Sequence, residues 1–210
     1  MNEINVYFRL IIMAAGYSRR FAGQNKLLAD FRGEPLCLPV IRAVAAVTEI
    51  LGAHAAGLLV SGHKEVRRLG EEAGLISLDN PNAIVGQSAS VRIGLLHPVG
   101  WEAKEEYAIF LPADQPLLNK TDLLYFAERI KTGRVGLWRS EAHGRFGSPT
   151  AFHKRYYPEL LALSGDAGGK GIFQNHKEQV KTVSLPLAAL QDVDTPADLE
   201  KLQTEIEEKG

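Results

Sequence analysis

The sequence predicts an α/β protein built on a mostly parallel sheet with helices on both faces. Three observations predict it. Short apolar runs of β type alternate with segments of helical periodicity along the chain. The best of these runs are apolar throughout, as strands covered on two sides must be. No internal repeat, low-complexity tract or linker interrupts the 210 residues, so 1–210 reads as a single domain.

The elements follow in order. Residues 8–13 form the first strand and stop at Ala14-Ala15-Gly16. A helical pattern covers 36–50, and Ala56-Gly57-Leu58-Leu59-Val60-Ser61 is the second strand. Helix 64–73 leads to a short strand at 75–79, and helix 87–97 to the strong strand 107–112. Then come helix 120–131, strand 134–139, helix 154–163, strand 180–185 and helix 196–208. The last helix has a clear start, with Thr195 as N-cap, Pro196 in the first turn and Asp198 near the positive end of the dipole.

Composition narrows the function. Apolar residues make up 45% and charged residues 23%, enough apolar material for a sizeable core. A net charge of −1 points to no nucleic-acid partner and no membrane surface. The single cysteine, Cys37, excludes an internal disulfide framework and a Cys-based zinc site, and fits a reducing, cytoplasmic setting. It sits in an apolar helical pattern and reads as inert core. Residues 6–15 are too short to span a bilayer, are interrupted by Arg9 and lead into no cleavage pattern, so they read as a strand.

In open α/β sheets ligands bind at the carboxyl ends of strands, near a switch in strand order. Three such ends carry unusual residues: Ala14–Lys26, Pro112–Gln115 and Gln191–Asp194. The first is neither a P-loop nor a Gly-x-Gly-x-x-Gly turn. It still offers a close backbone approach at Gly16, with Arg20 and Lys26 to neutralise a polyphosphate. A solvated basic turn is the plain alternative, and the position directly after a buried strand favours phosphate.

Asp114, after its buried strand, suits a magnesium ion and suits a turn carboxylate about equally well. Asp192 and Asp194 lie two apart and share a side in extended backbone, although aspartate before Thr-Pro is also a common helix entry. Gly86-Gln87-Ser88-Ala89-Ser90 opens a helix, and by itself reads as capping by Ser88. Gly144–Pro149 and Gly165–Lys170 are glycine-dense and read as loops of the kind found under ligands, with His143 a faint candidate beside the first. The six histidines show no metal-ligand spacing.

As an ordered set these motifs resemble a family. Ala14-Ala15-Gly16-Tyr17-Ser18-Arg19-Arg20, Lys26-Leu27-Leu28, Gly33-Glu34-Pro35-Leu36, Gly86-Gln87-Ser88-Ala89-Ser90, Asp114-Gln115-Pro116, Gly147-Ser148-Pro149, Gly165-Asp166-Ala167-Gly168 and Asp192-Val193-Asp194-Thr195-Pro196 are similar to those of the molybdopterin nucleotidyltransferase-like enzymes. The molybdenum cofactor cytidylyltransferase branch is the nearer match, because Met13-Ala14-Ala15-Gly16 stands where the guanylyl branch tends to read Leu-Ala-Gly-Gly. The loop from Arg20 to Lys26 is one residue longer than usual, and Ala113-Asp114 replaces the common Gly-Asp.

The resemblance implies a three-layer α/β/α Rossmann-like nucleotidyltransferase fold. It implies transfer of a nucleotidyl group, CMP from CTP, onto the terminal phosphate of a molybdopterin acceptor, with Mg2+ and release of pyrophosphate. Arg20, Lys26 and Asp114 would then be catalytic. Ala14, Ala15, Gly16 and Ser90 would join them around the nucleotide. Asp114, with Asp192 or Asp194 or both, would hold the metal. Gly147, Ser148, Pro149, Asp166 and Gly168 would bind the acceptor, and a molybdenum hydroxylase would receive the product. Two other readings stay open: a nucleotidyltransferase acting on a sugar or polyol phosphate, and a catalytically silent chaperone that carries the cofactor.

Overall fold

The computed structural model describes residues 6–16, 20–21, 25–83, 86–100, 103–133 and 135–208. Tyr17-Ser18-Arg19 and Ala22-Gly23-Gln24 of the first motif lie outside the described residues.

The first strand, β1 (Val6–Met13), is buried on both faces along most of its length. A small antiparallel pair follows, β2 (Asp30–Phe31) and β3 (Glu34–Pro35). Helix α1 (Leu38–Leu51) begins with Pro39 in its first turn, where the missing N–H costs nothing. Next come β4 (Ala55–Ser61), α2 (Lys64–Glu72), β5 (Ile76–Asp79), α3 (Gln87–Leu96) and β6 (Glu105–Pro112). Helix α4 (Lys120–Thr132) opens on a capping box between Asn119 and Asp122. The chain then forms β7 (Leu137–Ala142), β8 (Arg145–His153), α5 (Tyr157–Leu161), α6 (Lys170–Asn175), β9 (Val180–Ser184) and α7 (Pro196–Glu207). The start of α7 is a reciprocal capping box of Thr195 and Asp198, as its sequence requires.

Seven strands form one sheet in the order β5-β4-β1-β6-β8-β7-β9. All neighbours are parallel except β8, which runs against both β6 and β7. One face is covered by α1, α2 and α4, whose Val44, Val66 and Phe126 join Ile12, Ile109 and Trp138 of the sheet in a single core. The other face is covered by α3, α5 and α6, whose Val91, Leu160 and Phe173 meet Ile11, Phe110 and Phe152. The result is a three-layer α/β fold.

Three sequence expectations are corrected. Gly144–Pro149 is not a loop: most of it belongs to β8, and a two-residue turn at His143 and Gly144, both with positive φ, closes the β7–β8 hairpin. That is the geometry a tight hairpin turn needs. The strand expected at 134–139 runs 137–142 instead, and residue 134 lies outside the described residues. The helix expected at 154–163 is a 3-10 turn, Lys154–Tyr156, leading into five residues of α5. Helix α6 was not expected at all.

A third, smaller core positions the functional end of the sheet. Phe21, Phe31, Leu36, Val193 and Leu202 pack together. They tie the segment around Lys26 to the approach to α7.

Candidate active site at the switch point of the sheet

From β1 the chain moves outward to β4 and β5, then returns to add β6 on the other side of β1. The strand order therefore reverses between β1 and β6, where the carboxyl-terminal residues Met13 and Pro112 lie side by side. A crevice at such a point is the expected ligand site of an open α/β sheet. The loop after β1 is fixed to its neighbours through Ala14, which donates its amide to Val60 O (2.9 Å) and accepts from Ser61 Oγ (2.8 Å). Ala113 donates to Met13 O across the crevice (3.3 Å), and Val193 donates to Asp114 O (3.0 Å).

Lys26 stands at the centre of this end. It opens a short 3-10 turn whose first free amide, that of Leu27, is capped by Asn25 Oδ1. Its Nζ donates to Asp114 Oδ2 (2.5 Å), to Val193 O (3.0 Å) and to Asp194 Oδ1 (3.1 Å). Burial works against the ammonium, but the charge and hydrogen bond of Asp114, with a lesser share from Asp194, outweigh it and hold the pKa above the ordinary lysine value. Arg20 Nη1 reaches to 3.8 Å from Asp194 Oδ2, and both side chains are open to solvent. Such an exposed pair is weak and free to re-form around an anion.

Asp192 faces a different partner. Gln115 Nε2 donates to its Oδ1 at 2.8 Å. Burial of the carboxyl, then the charge of Asp114, push its pKa up to about 6 against the pull of Gln115, although the residue as a whole is solvent-exposed. Asp194, not Asp192, shares Lys26 with Asp114.

The sequence candidates thus fall into two groups. Arg20, Lys26, Asp114 and Asp194 converge directly, with Ala14, Ala15 and Gly16 on the adjoining loop. Asp192 stands beside this group on Gln115, and the rest lie toward α3 and β8. Ser90 is buried within α3 and accepts from Asn80 Nδ2 (2.9 Å). Ser88 does not cap its helix by its side chain; Gly86 holds the N-cap position with φ of 108°. The amide of Ser88 is instead taken by Gly165 O (3.1 Å), and a side chain at Gly86 would strike Gly165 and Asp166. The Gly86–Ser90 and Gly165–Gly168 motifs are therefore packed on one another. Gly147, Ser148 and Gly168 line a cavity of about 750 Å³ that also touches Met13 and Pro112. Pro149 and Asp166 are not among its lining residues; Pro149 O accepts from Ser140 Oγ.

Sequence reasoning left Gln115 and Asn25 without roles, although Gln115 lay inside a quoted motif. Among the described residues no three carboxylate, imidazole or thiol groups are placed to hold a metal. Asp114 Oδ1 is nevertheless buried without a hydrogen-bond partner. An orphaned carboxylate oxygen next to a second, open carboxylate suits a hard cation that takes its other ligands from phosphate and water.

Comparison with known proteins names the family. The profile of the MobA-like NTP transferase domain matches residues 10–180. The chain belongs to that family. It is an enzyme of the nucleotidyltransferase type. It is 28% identical over 154 residues to the molybdenum cofactor guanylyltransferase of Vibrio cholerae, covering 73% of this chain and 69% of that one. The fold matches the manganese complex of Rv0371C from Mycobacterium tuberculosis with a TM-score of 0.66 at 21% identity, over 95% of this chain and 98% of that one. It also matches the 4-diphosphocytidyl-2C-methyl-D-erythritol synthase of Anaerococcus prevotii with a TM-score of 0.70 at 14% identity, over 97% and 99% of the two chains.

Proposed function

We propose that this chain, acting as one domain, transfers a nucleotidyl group from a nucleoside triphosphate to the terminal phosphate of a molybdopterin-type acceptor. The acceptor oxygen forms a bond to the α-phosphorus, the bond from that phosphorus to the β-phosphate bridge breaks, and pyrophosphate leaves. The observation that carries the reading is Lys26 bonded at once to Asp114 and Asp194 at the switch point of a nucleotidyltransferase fold. The acceptor phosphate is already anionic near neutral pH, so no side-chain base is needed. Catalysis is then positioning and charge neutralisation.

The residues divide that work. The Ala14–Gly16 backbone leaves room for the triphosphate to approach. Lys26, pulled from Asp194 toward the incoming phosphates, and Arg20, released from its exposed pair, neutralise the charge that builds on pyrophosphate. Asp114 and Asp194 would hold a divalent cation, Mg2+ in this reading; when bound it supplies charge neutralisation across the phosphates. Asp192 sits behind them on Gln115 and adds negative potential. Ser90, buried and bonded to Asn80, would act on the nucleotide only by fixing the start of α3, and the cavity lined by Gly147, Ser148 and Gly168 takes the acceptor.

CTP is the proposed donor, on the strength of Met13-Ala14-Ala15-Gly16. The name of the Vibrio cholerae relative favours GTP instead, and that is the second reading. The test is pyrophosphate release from each of the four common triphosphates, with and without purified molybdenum cofactor. Release with CTP and acceptor supports the proposal. A preference for GTP selects the second reading. Release with a sugar or polyol phosphate alone, or with no acceptor at all, overturns the acceptor assignment. A molybdenum hydroxylase that takes up the nucleotidylated product is the recipient this reading expects.

A further inference from the structure

We infer that Arg139 is the specificity-determining residue of the acceptor cavity, and that the cavity selects a flat heteroaromatic ring carrying an anionic group. The inference deepens the proposed function and rests on its assignment of this cavity to the acceptor.

Arg139 occupies a position where the fold asks for an apolar side chain. It lies on β7, an interior strand, two residues from fully buried Leu137 and therefore on the same face. Across the sheet it is in register with Thr150, and Thr150 with Phe110. The row Arg139-Thr150-Phe110 forms part of the lining of the cavity of about 750 Å³. A guanidinium there loses hydration and needs compensation.

The compensation present is incomplete. The guanidinium carbon lies 3.3 Å from the ring centroid of Phe146 and 5.9 Å from that of Phe173. Phe146 is itself exposed, so stacking on it returns only part of what the guanidinium gives up. Arg139 Nε is buried with no hydrogen-bond partner, and no carboxylate among the described residues pairs with the group. Lys170 and Lys177 line the same cavity, and none of its lining residues is an aspartate or glutamate. Three cations gathered without a counter-charge describe an anion site. Phe146, Phe152 and Phe173 around them describe a site for a ring.

Geometry separates this anion from the reacting phosphate. Arg139 stands two strands across from β6, roughly 10 Å at ordinary strand spacing, while Pro112, also in the cavity lining, adjoins the loop that carries Asp114. The reacting phosphate belongs at the Pro112 end. The ring and its anionic or electron-rich edge belong at the Arg139 end. Arginine suits that task better than lysine because its face stays on Phe146 while its in-plane N–H groups meet a planar acceptor edge.

The test is fluorescence titration of the full chain with two pterins, pterin-6-carboxylate and uncharged 6-methylpterin, at low and high salt. Wild type binds the carboxylate about tenfold tighter or more, a margin that shrinks with salt. Arg139→Gln removes about tenfold from the anionic probe, Arg139→Lys falls between, and triphosphate affinity does not move. Equal binding of the two pterins by wild type, or an unchanged Arg139→Gln, overturns the inference. Should Arg139→Gln fail to fold, Arg139→Lys decides, because it keeps the charge and loses the planar edge: affinity for the anionic probe equal to wild type overturns the inference, and a loss severalfold or more supports it. Absence of nucleotidyl transfer by wild type removes the proposed function and leaves the binding result standing, so the two failures are distinct.

Discussion

At the scale of single residues, one lysine holds the functional end together. Lys26 satisfies two carboxylates and a carbonyl that would otherwise repel or lie unpaired. A charged nucleotide complex competes for those same groups, so binding exchanges one set of charge-assisted bonds for another. Lys26→Met is expected to lower turnover by roughly a hundredfold to a thousandfold, the usual loss when one charge-stabilising group is removed from a transition state. Asp114→Ala is expected to abolish divalent-metal-dependent pyrophosphate release while the circular dichroism spectrum stays as in wild type. Retained turnover removes Asp114 from the metal site. Cys37 makes a contrasting case. It is fully buried, and burial pushes its thiol up to about 12, so little thiolate exists at neutral pH. Alkylation by iodoacetamide is expected only on unfolding, and fast labelling of the native protein contradicts its place in the core.

At the scale of elements, what the sequence revealed depended on the kind of signal. Strands β1, β4 and β6 are apolar on both faces over most of their length, with Arg9 and Glu106 the buried exceptions, a pattern that composition displays directly. Strand β8 hid behind Gly144, Gly147 and Pro149, residues that mark turns in most contexts. Its hairpin turns on His143-Gly144, not the Asn-Gly or Asp-Gly pair that announces such a turn. Asp114 was legible because it falls just beyond β6, whereas Asp192 and Asp194, expected at a strand end, follow a 3-10 turn at Leu187–Leu190 that separates them from β9. The pairing of acidic and basic motifs was not legible, since only the fold brings Lys26 to Asp194, 168 positions away. Arg139 gave no signal at all, being a lone arginine inside a strand.

The end of β8 also carries a pH dependence. His153 is buried, holds Glu105 Oε2 through Nε2 (2.9 Å) and accepts the Arg155 amide at Nδ1 (3.3 Å). A neutral ring protonated on Nε2 satisfies both bonds. Burial lowers its pKa, and Arg155 and Lys154 add to that, against the pull of Glu105. The folded pKa therefore lies below the unfolded value. The stability it contributes is complete above the unfolded pKa and falls as pH drops through the folded one. Melting temperature should decline from pH 7.5 toward pH 5, and less steeply in His153→Gln. Parallel curves would remove His153 as a source of the decline. His97, whose pKa is also lowered by burial, is present in both proteins and cancels in the comparison.

At the scale of the whole molecule, the first and central strands are joined by a buried charge pair that also clasps an outer segment. Arg9 is fully buried in β1 and donates Nε to Glu106 Oε1 of β6 at 3.0 Å. It further donates to the carbonyls of Gly94 (3.1 Å), His97 (2.6 Å) and Val99. Glu106 Oε1 takes a second hydrogen bond from Tyr157 Oη at 3.0 Å. One guanidinium thus links two strands of the sheet to the end of α3. Removing it leaves a buried carboxylate with only a phenol for company. Arg9→Met is expected to cost about 3–5 kcal/mol, the range for breaking one side of a buried pair. In a chain of this size that lowers the melting temperature by roughly 10 °C. The double variant Arg9→Met with Glu106→Leu removes the stranded charge and should recover part of the loss. It cannot recover all of it, because three carbonyls still lack their donor and Tyr157 lacks its acceptor. The expected order of melting temperatures is wild type, then the double variant, then Arg9→Met. A double variant less stable than Arg9→Met would mean that the stranded charge is not the cause, and that the cost comes from the lost clasp on residues 94–99.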